Sequence, residues 1–324
     1  MHNEKRPKVS VCVLAYNQAR YIRQCLQSIV DQQTNFAFEV IVGDDFSTDG
    51  TREIVQEFAD RYPGVIKAIL QKKNIGGTGT GNYLIVNKAA SGDYVSHVDG
   101  DDFMLPGKLQ TMANCLDKNP DAAAAVHQLD VIHKDGSKAG WIWPEKAPAL
   151  IDMEYMLKNH PVFGHSSLVY RRVLMDWAAI ATTDFIDFYV YLLLAARGKI
   201  VFVNKLLGCY RGNVGISSSN FYKFLPYIEF VFSEAERLGV PKRIVHQARA
   251  YHLYKTSLNY LLINSSNEEF REYIELSYQQ SLVCMPQVVL FIFRKHPEFL
   301  YSLHRQYKKL KNLGLQRWLP GIKP

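Results

Sequence analysis

The chain has no uninterrupted apolar run of the roughly 18 residues that a membrane-crossing helix needs, and Met1 to Lys8 is polar and charged with no signal-like apolar stretch behind it. Neither a transmembrane span nor secretion is expected. Also missing is any CxxC or zinc-like pairing among the five cysteines, Cys12, Cys25, Cys115, Cys209 and Cys284. Cys12 and Cys25 fall in apolar patterns, as reduced thiols of a cytoplasmic protein would. No basic, glycine-rich phosphate loop follows the first apolar run, where Tyr16-Asn17-Gln18 stands instead, and this argues against a nucleotidyltransferase. Gly77, Gly79 and Gly81 lack GxGxxG spacing and lie in the wrong place for a dinucleotide fold. Internal repeats and low-complexity linkers are absent too.

Charge of one sign is lacking in the front of the chain. From Phe221 onward there are 15 Lys and Arg against 8 Asp and Glu, whereas residues 1–220 carry 23 of each, so the whole net charge of +7 lies at the back. A nucleic-acid binder would distribute that charge differently. The pattern is that of a neutral, enzyme-like domain over 1–220 with a basic region over 221–324, and 324 residues with 48% hydrophobic content are ample for a packed core.

What is present is an alternation of two periods. Lys8 to Ala15 is a β-branched run of strand type, and Ala19 to Gln32 places Ile22, Leu26 and Ile29 at helical spacing. Phe38 to Val42 and Val65 to Leu70 are strands flanking a helix over Thr51 to Tyr62, and Asp93 to Val98 is a fourth strand after a helical segment ending near Ala90. Further strands are expected at Ala123 to Gln128, Ser166 to Tyr170 and Ile200 to Val203, with a helix over Asp187 to Ala196. Beyond Phe221 the pattern is helical. This predicts an α/β fold with a mainly parallel sheet, helices on both faces, and a helical C-terminal region. Ligands of such sheets bind beyond the carboxyl ends of the strands. Tyr16-Asn17, Asp44-Asp45 and Asp99 to Asp102 each sit just past such an end and should meet in one crevice.

Asp99-Gly100-Asp101-Asp102 puts three carboxylates into four residues. In a crevice of reduced dielectric they repel one another unless a cation neutralises them. Mg²⁺ or Mn²⁺, bound by one or two carboxylates and by phosphate oxygens, answers that need and suits a departing nucleoside diphosphate; a solvated Asp-Gly turn is the plainer reading. In Asp44-Asp45-Phe46-Ser47-Thr48-Asp49-Gly50-Thr51 the later residues can cap the following helix. Capping leaves Asp44 and Asp45 unexplained, and a base or ribose would satisfy them.

Val9 to Asn17 (VSVCVLAYN), Asp44 to Thr51 (DDFSTDGT) and Val98 to Asp102 (VDGDD) resemble the successive motifs of family 2 glycosyltransferases with the GT-A fold. The resemblance covers residues 8–110 and is traceable to about 217. It implies an inverting transferase, often using UDP-sugars, in bacterial polysaccharide or lipopolysaccharide assembly. Ala15, Tyr16, Asn17 and Asn82 would line the nucleotide-sugar pocket, Asp45 would bond the base with Asp44 close by, and Asp99, Gly100 and Asp101 would form the DxD segment. Asp99, Asp101 and Asp102 would hold Mn²⁺ or Mg²⁺.

The second half of that pattern is matched by Asp187 to Leu192, Gly198-Lys199 and Tyr210-Arg211. Asp187, at a helix start, would be the base that takes the acceptor proton, with Asp184 a rival and helix capping the plainer role. Two departures matter. Gly81 stands where relatives often carry a basic residue before Asn82, so the diphosphate charge would fall to the metal, Arg211 or Lys108. Asn213 replaces a histidine that is a metal ligand in some relatives. His165 and Ser166 are expected near the acceptor, although a structural histidine is equally consistent. A non-catalytic nucleotide-sugar-binding subunit is the alternative function.

At the back, Pro286 to Phe293 is strongly apolar beside Arg294-Lys295, and Arg305, Lys308, Lys309 and Lys311 lie among Tyr301, Leu303, Tyr307 and Leu310. Such a segment suits peripheral attachment to the anionic inner face of the cytoplasmic membrane. Packing on the rest of the chain, or a seam between copies, fits the pattern as well.

Overall fold

The computed structural model describes residues 6–76, 81–180, 185–212, 214, 225–264 and 267–312, the side chains of 178, 179, 263, 264 and 306–312 apart. Its residues cluster into two units, Met1–Met156 with His160–Val231, and Leu157–Asn159 with Phe232–Pro324.

The first unit opens with β1 (Val9–Ala15), α1 (Ile22–Val30), β2 (Phe38–Asp44), α2 (Thr51–Arg61), β3 (Ile66–Leu70), α3 (Gly81–Ala89) and β4 (Tyr94–Asp99). Each strand returns parallel to its neighbour: β1 pairs with β2 and β4, and β2 pairs with β3, all in parallel register. The reason is packing. Ile22, Leu26 and Ile29 make one face of α1, and all three are buried in a core with Val9, Val11, Val13, Val40, Val42, Val55 and Phe58. Burial of each such side chain contributes about 1.5–3 kcal/mol.

After the short β5 (Phe103–Met104) comes α4 (Lys108–Lys118), which the sequence reading did not foresee, although Leu109, Met112 and Leu116 are spaced for one buried face. There follow β6 (Ala122–Ile132), β7 (Lys138–Trp143), β8 (Leu150–Ile151), α5 (Met153–Asn159), β9 (Val169–Arg171), α6 (Trp177–Ile180), α7 (Asp187–Ala195) and β10 (Lys199–Arg211). The sheet has ten strands in the order β3-β2-β1-β4-β9-β6-β10-β5, with β7 paired to β6 and β8 to β10. It is mostly parallel, with β9 antiparallel to both β4 and β6.

Two expectations change in detail. Ser166 to Tyr170 is not one strand: His165–Ser167 form a 3-10 turn, and only Val169–Arg171 pair. The strand expected to stop at Val203 continues to Arg211 through register shifts against β6. That extension carries Arg211 to the same edge of the sheet as Asp99.

The second unit is helical. α8 (Leu225–Arg237) leads into it, followed by α9 (Lys242–Asn259), a π-helical turn over Tyr260–Asn264, α10 (Asn267–Gln280), α11 (Met285–Ile292) and α12 (Pro297–Asn312). Phe270 and Ile274 of α10 are buried, and Gln287 of α11 donates to Ser277 Oγ at 2.8 Å. Among the described residues no helix is long and apolar enough to cross a membrane. All five cysteines are free thiols.

Candidate active site

The parallel register brings the polar clusters together. Ala15 at the end of β1 is the partner of Asp44 on one side, and Leu14 is the partner of Asp99 on the other. With strands ~4.8 Å apart, the three clusters share one rim about 10 Å wide. The loops beyond are pinned to β1, since Asp45 N–H donates to Ala15 O at 2.9 Å and Gly100 N–H to Leu14 O at 3.0 Å.

Much of the motif chemistry is used to shape this rim. Asn17, in the left-handed region at φ 51°, donates its N–H to Ser47 Oγ at 2.9 Å and accepts at Oδ1 from Thr48 N–H at 2.9 Å. Gln18 and Ala19 donate to Thr51 Oγ1 and Asp49 Oδ2, so Asp49 and Thr51 lace two loops together besides starting α2. Asp44 accepts at Oδ2 from Ser47 N–H and Arg52 Nη1, while its Oδ1 is buried without a partner. Asp45 accepts at Oδ1 and Oδ2 from the N–H groups of Ile75 and Gly76, at 2.8 and 3.3 Å. Asn82 donates to Gly43 O at 2.7 Å. At this end of the rim two aromatic residues are exposed, Tyr16 at 44% and Phe46 at 43%, with the Arg52 guanidinium 5.7 Å from the Phe46 centroid. Phe46 and Arg52 were not picked out in the sequence, where the only signal was their place inside and just after the acidic loop.

The turn after β4 is built from below. Asp102 is buried; its Oδ2 accepts from Ser166 Oγ at 2.5 Å and its Oδ1 from Arg211 N–H at 2.8 Å. Ser166 Oγ also accepts from Asp99 N–H at 3.0 Å. Lys108 is buried and donates to Ser166 O at 2.6 Å and His97 O at 3.4 Å, and burial pushes its ammonium down to about 7. Arg211 donates from Nε to Asp101 O, from Nη1 to His133 O and from Nη2 to Gln24 Oε1, and lies 4.5 Å from the Tyr21 centroid. The two cations assigned to the diphosphate therefore hold backbone carbonyls under the rim. Gly100 is needed here, because a Cβ would meet Gln18 Oε1 and come within 3.0 Å of Ile22 Cδ1 and Leu14 O.

Asp99 and Asp101 are left with no Lys or Arg paired to their carboxylates among the described residues. Burial, and for Asp99 also the charge of Asp101, raises the carboxyl of Asp99 to about 7 and that of Asp101 in the same direction. Burial likewise pushes Asp102 up, with Asp101 and Asp99 adding to it. Metal-ligating side chains do not gather in a group of three or more among the described residues. With both Asp102 oxygens engaged, the carboxylates of Asp99 and Asp101 remain, eased only in part by the nearby Lys108 and Arg211 charges, a donor set that fits a hard divalent cation completed by phosphate oxygens and water. Asn213 and Asp184 lie outside the described residues.

Asp187 is the first residue of α7, preceded by Ile186, whose side chain makes no cap. Its side chain is 48% exposed, yet the surrounding bulk raises its carboxyl to about 6. His165 Nδ1 lies 3.1 Å from Tyr191 Oη and 3.8 Å from Asp187 Oδ2. The His165 ring is buried against His97, 4.3 Å between centroids, and burial lowers it to about 4, so it is neutral. Both His165 and Ser166 are buried: the His165 ring lies beside Asp187, and Ser166 anchors the Asp99–Asp102 turn.

Comparison with known proteins bears on this rim. The profile described as Glycosyl transferase family 2 matches residues 10–177. An uncharacterized protein of Mycobacterium tuberculosis, Rv1520, is 33% identical over 63% of this chain and 58% of its own length, so the chain spans under two thirds of that relative. Among solved structures, TarS 1-349 of S. aureus in complex with UDP-GlcNAc superposes with a TM-score of 0.66 at 19% identity, covering 95% of this chain and 92% of that one. The mannosyltransferase PcManGT of Pyrobaculum calidifontis, in complex with GDP-Man and Mn²⁺, gives 0.57 at 18%, covering 95% and 84%. At those identities the likeness is one of fold.

Proposed function

The chain belongs to glycosyltransferase family 2, and from that premise we propose that it moves a sugar from a UDP-sugar to an acceptor hydroxyl with inversion, in bacterial polysaccharide or lipopolysaccharide assembly. The observation that carries this reading is the pair Asp99 and Asp101, held at the strand ends with raised carboxyls and, among the described residues, no Lys or Arg in an ion pair with either. Such a pair suits a cation arriving with a diphosphate. The bound ligands of the two solved neighbours, UDP-GlcNAc in one and GDP-Man with Mn²⁺ in the other, support donors of this class. Mn²⁺ or Mg²⁺ held by Asp99 and Asp101 would offset the charge that grows on the leaving diphosphate.

The chain's own residues supply the rest. Tyr16 and Phe46, both exposed, offer aromatic surface for the base, and the unpartnered Oδ1 of Asp44 and the Asp45 carboxylate belong to the same loop as Phe46. Asp187 accepts the proton of the acceptor hydroxyl as its oxygen bonds to the anomeric carbon and the bond to the diphosphate breaks on the opposite face. A carboxyl raised to about 6 is ionised near neutral pH and still basic enough for that task. His165 orients it. In this division of labour residues 1–220 hold donor chemistry, and 221–324 serve acceptor, membrane or oligomer contacts.

A panel of nucleotide-sugars, screened by thermal shift with and without Mn²⁺, tests the reading, since a ligand of the folded state raises its apparent stability. A metal-dependent rise with UDP-sugars is expected; no rise with any nucleotide-sugar contradicts it.

A further inference from the structure

The largest concentration of exposed apolar side chains lies in the second unit, on α11 and α12. Met285, Val289 and Ile292 fall at i, i+4 and i+7 on one side of α11, and Met285 and Ile292 are 73% and 61% exposed. The opposite side holds the helix in place through buried Gln287 and Leu290 and through Phe291, stacked on Tyr278 at 3.9 Å. The exposed stripe continues across the corner, where Phe293 and Phe299 rings lie 5.2 Å apart, to Leu303 one turn further on α12. A helix folded with its core side already satisfied has no internal reason to show such a face to water.

Charge identifies the occupant. Residues 282–312 contain six basic residues, Arg294, Lys295, Arg305, Lys308, Lys309 and Lys311, against one acid, Glu298. Arg294 is bonded to Glu275 at 2.6 Å, but Lys295, at the corner between the two helices, and Arg305, just past Leu303, are exposed. A symmetric seam between two copies sets a patch against itself and would bring these like charges together. An anionic surface complements them, and among the described residues no helix is long and apolar enough to span a bilayer. We propose that α11 and α12 form an interfacial docking face for an anionic lipid bilayer, with Met285, Val289, Ile292, Phe299 and Leu303 entering the headgroup boundary and Lys295 and Arg305 meeting lipid phosphates. This inference stands apart from the transferase reading and does not depend on it.

Co-sedimentation of the full chain with vesicles tests it. Binding is expected to phosphatidylcholine mixed with phosphatidylglycerol, to weaken at high salt, and to be absent with phosphatidylcholine alone. Lys295→Gln with Arg305→Gln, both at exposed positions, should weaken binding roughly 25-fold, about fivefold per basic residue. Met285→Gln with Ile292→Gln should weaken it roughly tenfold or more. Thermal melting checks that each variant is folded; if the apolar pair is not, the charge pair decides. The proposal is overturned by no binding to anionic vesicles at low salt, by binding that both pairs of substitutions leave unchanged, or by a dimer in solution that the apolar substitutions dissociate without affecting vesicle binding.

Discussion

The backbone N–H of Arg211 donates to Oδ1 of Asp102 across 2.8 Å, joining the end of β10 to the turn after β4 although 109 residues separate them. The same residue reaches Asp101 O, Gln24 and His133 O with its guanidinium. The acidic turn therefore takes its shape from a second-half strand.

Arg211→Lys keeps the charge and the backbone bond but loses the planar fork. A loss of about 1–3 kcal/mol in urea unfolding is expected, together with weaker donor affinity and a smaller effect on turnover. Unfolding curves and calorimetry of UDP binding check it.

Gly100→Ala forces a methyl into contact with Gln18, Ile22 Cδ1 and Leu14 O. Gln18 can swing aside, but Ile22 Cδ1 and Leu14 O, both at 3.0 Å, must give by a few tenths of an ångström, at a cost of about 1–3 kcal/mol. Thermal unfolding measures that, and donor affinity should fall with it.

The first strands were legible as short apolar runs buried on both faces, and α1 and α2 because each buries one face, as Ile22, Leu26 and Ile29 illustrate. The convergence of Tyr16, Asp44 and Asp99 followed from parallel register alone. Roles within the cluster were not legible, because they depend on long-range partners. Asp102 looks like its neighbours in sequence, but Ser166 and Arg211, 64 and 109 residues away, take up both its oxygens. For His165 an acceptor contact and a structural role were equally consistent, and only the packing of α7 sets its Nδ1 3.1 Å from Tyr191 Oη and 3.8 Å from Asp187 Oδ2. β10 outran its apolar run because its later half, Asn204 to Arg211, is mixed in character and held by pairing with β6.

Asp101→Asn keeps the shape of the turn and removes one of the two carboxylates. Calorimetry should find UDP binding to the wild type strengthened by Mn²⁺ and binding to the variant indifferent to it, with transfer abolished. Metal-dependent affinity that survives the substitution would move the cation elsewhere.

Asp187→Asn should leave donor affinity in place and lower transfer by roughly 10²- to 10⁴-fold. The pH profile carries the same information. A base acts ionised, so with the Asp187 carboxyl at about 6 the wild-type rate should fall as pH drops through that value and level off above it. The residual rate of the variant should lack this acid limb; a limb that persists would assign it to another group.

Release of nucleoside diphosphate tests the central claim most directly. The wild-type chain is incubated with a panel of nucleotide-sugars and Mn²⁺, with and without saccharide acceptors, and the freed diphosphate is measured. The account predicts release from at least one UDP-sugar, faster with acceptor and lost in Asp101→Asn. A chain that binds a donor yet releases no diphosphate under any of these conditions would be a binding subunit, and the claim of sugar transfer would be wrong.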